Sequence, residues 1–348
     1  MGKYENDYEA SRRQNHTRTL LTGTLVYHLD NTALYEIAVM YYDKYGHVVQ
    51  TRSTNHLGGY DMIYNEVDFL GKPLKTYKTH TIHGPINQTT ELYTYKYDKA
   101  QRLQTTKHTL NSGAEVTLSD NTYDDLGRLQ TKKVGNSIET TTYSYNIRNW
   151  VTGINGIYFI ENLNYNTDPA NISNFAACYN GNIAAMQWSI PSENLGYNRT
   201  YAFSYDALNR LTGSNYCNGN YDEAMMYNKM GNITEMFRKD DYGDNDDIGI
   251  YYIGNQLSSI SDANYHPQRT YEYGSEGFIG RGNNLATQYK YDLNGNMTYD
   301  ANSGISTIQY NSLNLPEVIQ FTEGHQNYYT YDAAGQKLDV TNYNCIIR

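Results

Sequence analysis

The sequence has little cysteine, little proline and no long apolar run. Its three cysteines, Cys178, Cys217 and Cys345, form no C-x-x-C pair, so neither a disulfide framework nor a zinc site is expected. No stretch approaches the ~18 apolar residues of a membrane helix, and the charged N-terminus lacks the apolar run of a signal peptide. Acidic residues outnumber basic ones by 37 to 27, without a basic cluster. We therefore expect no membrane span, no cofactor and no nucleic-acid partner.

Tyrosine is the residue type that this chain has in excess. It contains 39 tyrosines against 7 Phe and 2 Trp, and Tyr is counted in its apolar fraction of 39%. The remaining apolar side chains are too few for the core of a helical bundle or an α/β enzyme. Tyr and Thr suit a pleated, half-buried surface, whereas Asn and Gly, both abundant, suit turns with positive φ. The composition predicts an all-β chain of short strands joined by tight hairpins.

One short block recurs along the chain: an aromatic residue, Asp or Asn, two variable residues, then Gly or Asn before a polar and an apolar residue. The Asp/Asn position is filled by Asp43, Asp68, Asp98, Asp124, Asn146, Asp206, Asn228, Asp292, Asn311 and Asp332. Tyr precedes it in nine blocks, as Tyr42, Tyr97, Tyr123, Tyr145, Tyr205, Tyr227, Tyr291, Tyr310 and Tyr331, and Val67 replaces Tyr in the tenth. Three residues after Asp/Asn come Gly46, Gly71, Gln101, Gly127, Asn149, Asn209, Gly231, Gly295, Asn314 and Gly335, so that nine of the ten are Gly or Asn and Gln101 is the exception. Internal repetition of this kind determines the architecture.

The spacing of the block predicts a β-turn. Asp or Asn at the first position of a type I turn accepts hydrogen bonds from the backbone, and Gly at the fourth adopts the left-handed conformation that forms a G1 bulge. We expect this conformation at Gly127 and Gly295 in particular. Two shorter variants, YNGNI at 179–183 and YIGNQL at 252–257, are interpreted as tighter turns of the same kind. Tyr residues alternate along the strands that precede these turns. This alternation favours a partly solvated aromatic face that lines a hollow interior.

These motifs resemble the YD repeat of RHS (rearrangement hotspot) proteins. The blocks YDKAQRL, YDDLGRL and YDALNRL carry the resemblance most clearly, the last two with Arg128 and Arg210. The longer stretches YSYNIRNWVTGING, YNGNIAAMQW and YKYDLNGNMTYDANSGI look like the RHS-repeat proteins of Bacteroidetes. The similarity covers 35–340, which leaves 1–34 as expected lead-in strands and 341–348 as an expected truncated tail.

The resemblance implies a spiral of antiparallel hairpins, one continuous curved sheet wound into a hollow shell. In related proteins, including the B and C components of bacterial Tc toxin complexes and the teneurins, such a shell surrounds a cargo or displays surfaces outside the cell. A secreted or cell-surface location follows from the same resemblance. In bacterial RHS proteins a downstream core segment and a C-terminal toxin complete the shell. This chain ends in TNYNCIIR instead, so we expect its partner core, its cleavage site and its cargo to be absent.

Three sets of residues offer alternative chemistry. The acidic run with Asp240, Asp241, Asp244, Asp246 and Asp247 resembles a calcium loop. Counted from Asp244, however, Ile248 stands where an EF-hand needs an oxygen ligand and Asn255 where it needs Glu, so a solvated hairpin tip is expected. His80 and His83 form H-x-x-H on opposite sides of a strand, which disfavours a metal pair. The turn carboxylates recur too regularly to be a catalytic pair. We expect no enzyme.

Two function classes remain open. The first is a structural segment of an RHS shell that encloses or presents a toxin-type C-terminal cargo. The alternative is an adhesion module whose exposed Tyr and Asn rows bind a cell-surface glycan or protein. Regular placement of Tyr at the same turn position favours packing and hence the first class. A shell segment without its core should also leave an unpaired edge strand within 329–340, which predicts self-association.

Overall fold

The computed structural model describes residues 19–82, 88–168, 171–193, 199–217, 219–240, 243–263, 278, 285 and 287–343. β-Strands are the dominant secondary structure of these residues, and one short 3-10 helix, Pro191–Glu193, is the only helix in the described ranges. No helix of the described part is long and apolar enough to span a membrane. The all-β prediction is confirmed.

The strands in the first half of the chain are β1 (Gly23–Tyr27), β2 (Tyr35–Tyr42), β3 (Val48–Thr54), β4 (Tyr60–Val67), β5 (Pro73–Thr81), β6 (Gln88–Tyr97), β7 (Leu103–Leu110), β8 (Val116–Tyr123), β9 (Leu129–Val134), β10 (Glu139–Tyr145), β11 (Val151–Asn155) and β12 (Ile160–Asn164). The remaining strands are β13 (Ala185–Ser189), β14 (Arg199–Tyr205), β15 (Leu211–Tyr216), β16 (Glu223–Tyr227), β17 (Ile233–Asp240), β18 (Gly243–Ile253), β19 (Gln256–Asp262), β20 (Tyr289–Tyr291), β21 (Met297–Asp300), β22 (Ile305–Tyr310), β23 (Pro316–Phe321), β24 (Gln326–Tyr331) and β25 (Lys337–Tyr343).

Within each of two sheets, strands pair antiparallel with their neighbours along the chain, as the hairpin prediction requires. The register from β2 to β7 runs through pairs such as Val39↔Arg52 and Thr94↔Lys107 without a crossover. Hydrogen bonding groups nineteen strands, β1–β19, in one antiparallel sheet and six, β20–β25, in a second. The connection from Asp262 to Tyr289 is much longer than a hairpin loop, so β20 pairs with β21 rather than continuing the first sheet.

The strands belong to two compact units. Unit 1 consists of Met1–Tyr143 and Thr330–Asp339, and unit 2 of Ser144–Tyr329 and Val340–Arg348. In unit 1 the buried side chains mix aromatic and polar groups: Tyr64 and Gln50 are almost fully buried, and Thr81 is completely buried. The Thr81 hydroxyl accepts the backbone N–H of Tyr60 and donates to its carbonyl, both at 2.9 Å. Thr81 can therefore be buried in this core because its hydroxyl both donates and accepts a hydrogen bond there.

Unit 1 also joins the first strand to the last turn block. The N–H of Leu29 donates to the carbonyl of Tyr331 at 3.0 Å, and the N–H of Ala333 donates to the carbonyl of Tyr27 at 2.8 Å. His28 pairs with Asp332 as an isolated antiparallel bridge. The expected unpaired edge in 329–340 is therefore wrong at residues 331–333, because the end of β1 supplies their backbone partners.

Unit 2 has a core of small side chains and a polar network. Ala184, Ala185 and Ala202 are buried where β12, β13 and β14 approach one another. The amide of Asn302 donates to Gln288 at 3.0 Å and to the Tyr289 hydroxyl at 2.8 Å. The same Gln288 oxygen accepts the N–H of Ile260 in β19 at 2.8 Å, so this network links β19 to the start of β20.

Candidate functional site: two rows of repeated turns

All ten repeat blocks fold into the same turn. In the block at Asp124, Oδ1 accepts the backbone N–H groups of Leu126 at 3.0 Å and Arg128 at 2.8 Å. Two backbone bonds close the turn, from the N–H of Asp124 to the carbonyl of Arg128 and from the N–H of Gly127 to the carbonyl of Asp124. The same four bonds recur at Asp43, Asp68, Asp98, Asn146, Asp206, Asn228, Asp292, Asn311 and Asp332. In every block the Oδ1 atom of the first turn residue therefore accepts hydrogen bonds from backbone N–H groups of the same turn.

The fourth position of every turn is left-handed. The φ angle there ranges from 57° at Asn314 to 91° at Gly231, and it is 85° at Gly127 and 86° at Gly295. The remaining members are Gly46, Gly71, Gln101, Asn149, Asn209 and Gly335. The strand register shifts by one residue at the residue before the turn in eight of the ten blocks, for example at Tyr97 and Tyr205. This is the bulge expected beside a left-handed residue.

Most of the repeated tyrosine hydroxyls connect their turn to the one before it. Tyr97 donates to the carbonyl of Pro73 at 2.9 Å, and Tyr310 donates to the carbonyl of Met297 at 2.6 Å. In both cases the acceptor is the first strand residue after the preceding turn. The other pairs are Tyr123 with Leu103, Tyr205 with Ile183, Tyr227 with Leu211, Tyr252 with Ile233 and Tyr291 with Leu257. Burial raises the pKa of Tyr97, Tyr205 and Tyr310, which keeps these hydroxyls protonated as donors.

Sequence reasoning missed one member of this set. The hydroxyl of Tyr165 donates to the carbonyl of Val151 at 2.8 Å, although no complete block follows it. The Tyr165-Asn166 dipeptide was the available signal. Tyr42, in the first block, similarly donates to the carbonyl of Leu21 at 2.6 Å.

The two shorter variants differ from each other. The one at 252–257 is a hairpin with two residues between paired strands, because Ile253 pairs with Gln256 and Gly254 has a φ of 63°. The one at 179–183 lies in the long connection between β12 and β13, so the prediction of a tight hairpin is wrong there. The side chain of Asn180 still forms a local turn there, because its Oδ1 accepts the N–H of Asn182 at 3.1 Å.

Four of the five repeat turns of unit 1, at Asp43, Asp68, Asp98 and Asp124, form a charged row; the fifth is the turn at Asp332. The Arg102 guanidinium donates to Asp98 Oδ2 at 2.7 Å and lies 4.4 Å from the Tyr123 ring centroid of the following block. The N–H of Arg102, together with its guanidinium, lowers the pKa of the Asp98 carboxyl. Lys72 Nζ donates to the carbonyl of Gln101 at 3.0 Å and so joins two neighbouring turns.

The turns of unit 2 form a row that is rich in asparagine, which we call the unit 2 turn row. It contains the turns at Asn146, Asn180, Asp206, Asn228, Gly254, Asp292 and Asn311. Direct hydrogen bonds join neighbouring turns: Asn180 donates to Asn209, Asn232 donates to Asn255 at 3.2 Å, and Asn294 donates to Asn314 at 3.2 Å. Arg148 reaches the carbonyl of Tyr179 at 3.2 Å, and Arg210 reaches that of Asn228 at 3.1 Å. Amide groups therefore form a ladder along this row.

Each turn of the unit 2 turn row also exposes one large apolar side chain, which we call its tip. The tips are Ile147, Tyr179, Leu208, Met230, Ile253, Leu293 and Leu313. Ile147 and Leu293 are fully exposed, at 100% and 106% of the reference area, and Leu208 and Met230 are each 70% exposed. Tips of this kind also occur in unit 1, where Leu126 is 73% exposed.

The residues considered above for calcium and metal binding lie outside the two rows of turns. Asp246 was expected at a solvated tip, but it is buried and ion-paired with Arg238 at 2.6 Å, because β17 and β18 bring the two together. Asp241 and the side chain of Asp244 lie outside the described residues. His80 contacts Asp61, and His83 lies outside the described residues. Among the residues that the structure describes, no cluster has the ligands to hold a metal ion.

A groove of about 650 Å³ crosses β17, β18 and β19 in unit 2. Gly249 lies between Glu235 and Ser261 in one cross-strand row. Asp247 and Tyr251 line the same groove, and Tyr251 is 59% exposed. A glycine flanked by carboxylate, hydroxyl and aromatic groups offers hydrogen-bonding partners beside a ring face.

No protein-family model matches this chain, and no curated protein matches its sequence. Solved structures do match. A chain in the crystal structure of TcdB2-TccC3-Cdc42 is 12% identical with a TM-score of 0.52, and the match covers 90% of this chain and 19% of that one. A chain in TcdB2-TccC3 without the hypervariable C-terminal region is 14% identical with a TM-score of 0.52, covering 91% and 19%. A chain in the Photorhabdus luminescens Tc holotoxin pore is 12% identical with a TM-score of 0.43, covering 90% and 20%.

The chain thus spans about a fifth of the length of these solved chains. At 12% to 14% identity the likeness establishes the fold. The fold is therefore that of a segment of the TcdB2-TccC3 chain, which agrees with the expectation of an RHS-type sheet of hairpins.

Proposed function

We propose that this chain is a structural segment of an RHS/YD-repeat shell that encloses or presents a toxin-type C-terminal cargo. The observation that carries the proposal is the use of the repeated groups: every turn carboxylate or amide accepts two backbone N–H groups. Most of the repeated tyrosine hydroxyls also bind a carbonyl of the preceding turn. Side chains that hold the turns and strands together in this way have a structural rather than a catalytic role.

The similarity to TcdB2-TccC3 supports the same proposal. One of those structures is of TcdB2-TccC3 without its hypervariable C-terminal region. A scaffold that repeats one turn and varies its exposed residues is suited to bear different C-terminal segments. A secreted or cell-surface location belongs to the proposal, since the related shells display or deliver their cargo outside the cell.

Material purified from the source cells tests this proposal. An antibody against an exposed turn of unit 1 would isolate the native polypeptide that contains this sequence. We expect electron microscopy to show a hollow particle, and we expect a C-terminal segment to resist protease until the shell is unfolded. A solid particle whose whole chain is digested under native conditions would contradict the proposal. Protease applied to intact cells, compared with lysed cells, tests the location.

The groove over Gly249 favours a second candidate, an adhesion module that binds carbohydrate. An exposed aromatic ring beside two carboxylates and a hydroxyl offers stacking and hydrogen bonds to a sugar. A glycan array probed with the soluble chain tests this function. Binding that disappears in Tyr251→Ala and Glu235→Gln, but persists in Tyr45→Ala, would support it. An array without any bound glycan would leave the shell as the only proposal.

A further inference from the structure

The tips of the unit 2 turn row have no role in forming the turns. The turn is specified by Asp or Asn at its first position and by a left-handed residue at its fourth, and polar residues are ordinarily preferred between them. Yet Ile147, Leu208 and Leu293 place branched aliphatic side chains in that middle region, where they are 70% to 106% exposed. Exposed apolar side chains that recur in one row mark a contact surface more strongly than singly scattered ones do.

We propose that the unit 2 turn row is a self-association surface, on which the tips of one copy pack between the tips of a second copy. The first argument for a second copy as the partner is the spacing of the tips. Successive turns are separated by two strands, so neighbouring tips lie ~10 Å apart. Only a surface with the same repeat buries all tips together, and the row itself supplies that repeat. A two-fold axis lets the same patch serve both copies.

The charges along the row are compatible with contact between identical surfaces. The chain carries a net charge of −10, but the ionised residues of the unit 2 turn row are few, namely Arg148, Asp206, Arg210, Lys229 and Asp292. Arg210 donates to Asp206 at 2.6 Å, and the Asp292 carboxylate is bonded to Asn296 at 2.9 Å. The intervening asparagine amides donate and accept hydrogen bonds equally well. Pairing two copies therefore brings little like charge together.

The available area is also sufficient. One exposed Leu, Ile or Met offers on the order of 100 Å² of apolar surface. Seven tips with the amides between them thus approach the ~800 Å² per partner of a standard interface.

The charged row of unit 1 is a poorer candidate for the same contact. Its tips Tyr45 and Leu126 lie next to Lys44 and Asp125, and its turn at Asp98 carries Lys99 without a large apolar tip, so an identical surface would have to desolvate these charges. Leu126 in this row is 73% exposed and Leu208 in the unit 2 turn row is 70% exposed. These two leucines occupy the same position of the same turn, so they form a matched pair for an experiment.

Sedimentation velocity of the full chain from nanomolar to high micromolar concentration tests the proposal. We expect a concentration-dependent dimer whose dissociation constant rises at least tenfold in the double variant Leu208→Asn and Met230→Asn, because each copy loses two apolar tips. The matched variant Leu126→Asn should leave the dissociation constant unchanged. The tips are exposed, so the thermal unfolding midpoint of all variants should match that of the unsubstituted chain.

Three outcomes would overturn the proposal. The first is a monomer throughout the concentration range. The second is a dimer that the Leu208→Asn and Met230→Asn variant does not weaken. The third is a dimer weakened equally by Leu126→Asn, which would make any exposed tip sufficient and the unit 2 turn row unnecessary.

Discussion

The turns of unit 1 and unit 2 share one backbone geometry but present different surfaces. The unit 1 row carries the charged residues Asp43, Lys44, Asp68, Lys72, Asp98, Lys99, Arg102, Asp124, Asp125 and Arg128, and none of its four turns contains Asn. The unit 2 turn row replaces most of these with Asn146, Asn149, Asn180, Asn182, Asn209, Asn228, Asn232, Asn255, Asn294, Asn296, Asn311 and Asn314. The difference shows that the turn requires an oxygen acceptor and a left-handed residue, whereas charge is free to vary.

The largest expected effect comes from adding a side chain at the left-handed position. Gly71 has a φ of 81°, and a Cβ there would lie 2.7 Å from the His47 ring, which Asp43 holds in place at 3.0 Å. We expect Gly71→Val to lower the free energy of unfolding by about 3 kcal/mol, through backbone strain and overpacking together. Denaturant melts measure this change.

Gly231 in unit 2 is the matched control, with a φ of 91° and open space around the new Cβ. Gly231→Val should cost only the strain, about 1–2 kcal/mol. Gly231→Asn should cost less, because Asn149, Asn209 and Asn314 adopt this conformation. If Gly71→Val and Gly231→Val lowered the free energy of unfolding equally, the His47 side chain would be able to move aside without a cost in stability.

A second effect concerns the acceptor that both rows require. Asn311 Oδ1 accepts the N–H groups of Leu313 at 2.9 Å and Leu315 at 3.1 Å. Asn311→Ala should lower the free energy of unfolding by about 1–2 kcal/mol, the usual cost of losing such a side-chain acceptor. Asn311→Asp should stay within ~0.5 kcal/mol of the native chain. If the Asp variant were as unstable as the Ala variant, the two rows would not be interchangeable in their turn chemistry.

The tyrosine bonds should contribute equally in both units. Tyr97→Phe removes the bond to the Pro73 carbonyl in unit 1, and Tyr310→Phe removes the bond to the Met297 carbonyl in unit 2. Each substitution should lower the free energy of unfolding by about 1 kcal/mol, because a partly buried carbonyl loses its donor. A large loss in one unit and none in the other would indicate that the turns are fastened differently. Tyr45→Phe, at an exposed tip, is the control.

The smallest effect is a difference in acid sensitivity. Hydrogen bonds from the N–H and guanidinium of Arg102 lower the pKa of Asp98, and the corresponding bonds lower that of Asp206. A carboxyl with a lowered folded pKa stabilises the fold above its unfolded pKa of ~3.9, and this contribution is lost as the pH falls through the folded pKa. Asp98→Asn should therefore reduce the loss of stability on acidification. Asn228→Asp should increase it, and denaturant melts across acidic pH measure both.

Much of the fold was predictable because the repeat is local. The Asp124 turn needs only residues within five positions, so the spacing of the block was sufficient to predict its turn and the positive φ of Gly127. The contact of residues 27–29 with 331–333 was not predictable, because backbone pairing across the whole chain leaves no pattern in either segment. Tyr165 was missed because no complete block follows it, so the repeat pattern did not include it. The tips were visible in the sequence, but only their exposure separates them from core residues.

The pairing of 27–29 with 331–333 also has a consequence for synthesis. Unit 1 contains Met1–Tyr143 and Thr330–Asp339, so the ribosome must make roughly 190 further residues before the last piece of unit 1 exists. At ~5–20 residues per second this takes on the order of 10–40 s. During that time the backbone groups of Tyr27 and Leu29 lack their partners, and closing so long a loop is entropically costly. Chaperones that shield exposed strand edges should therefore bind nascent chains of this protein until residue 333 has left the ribosome.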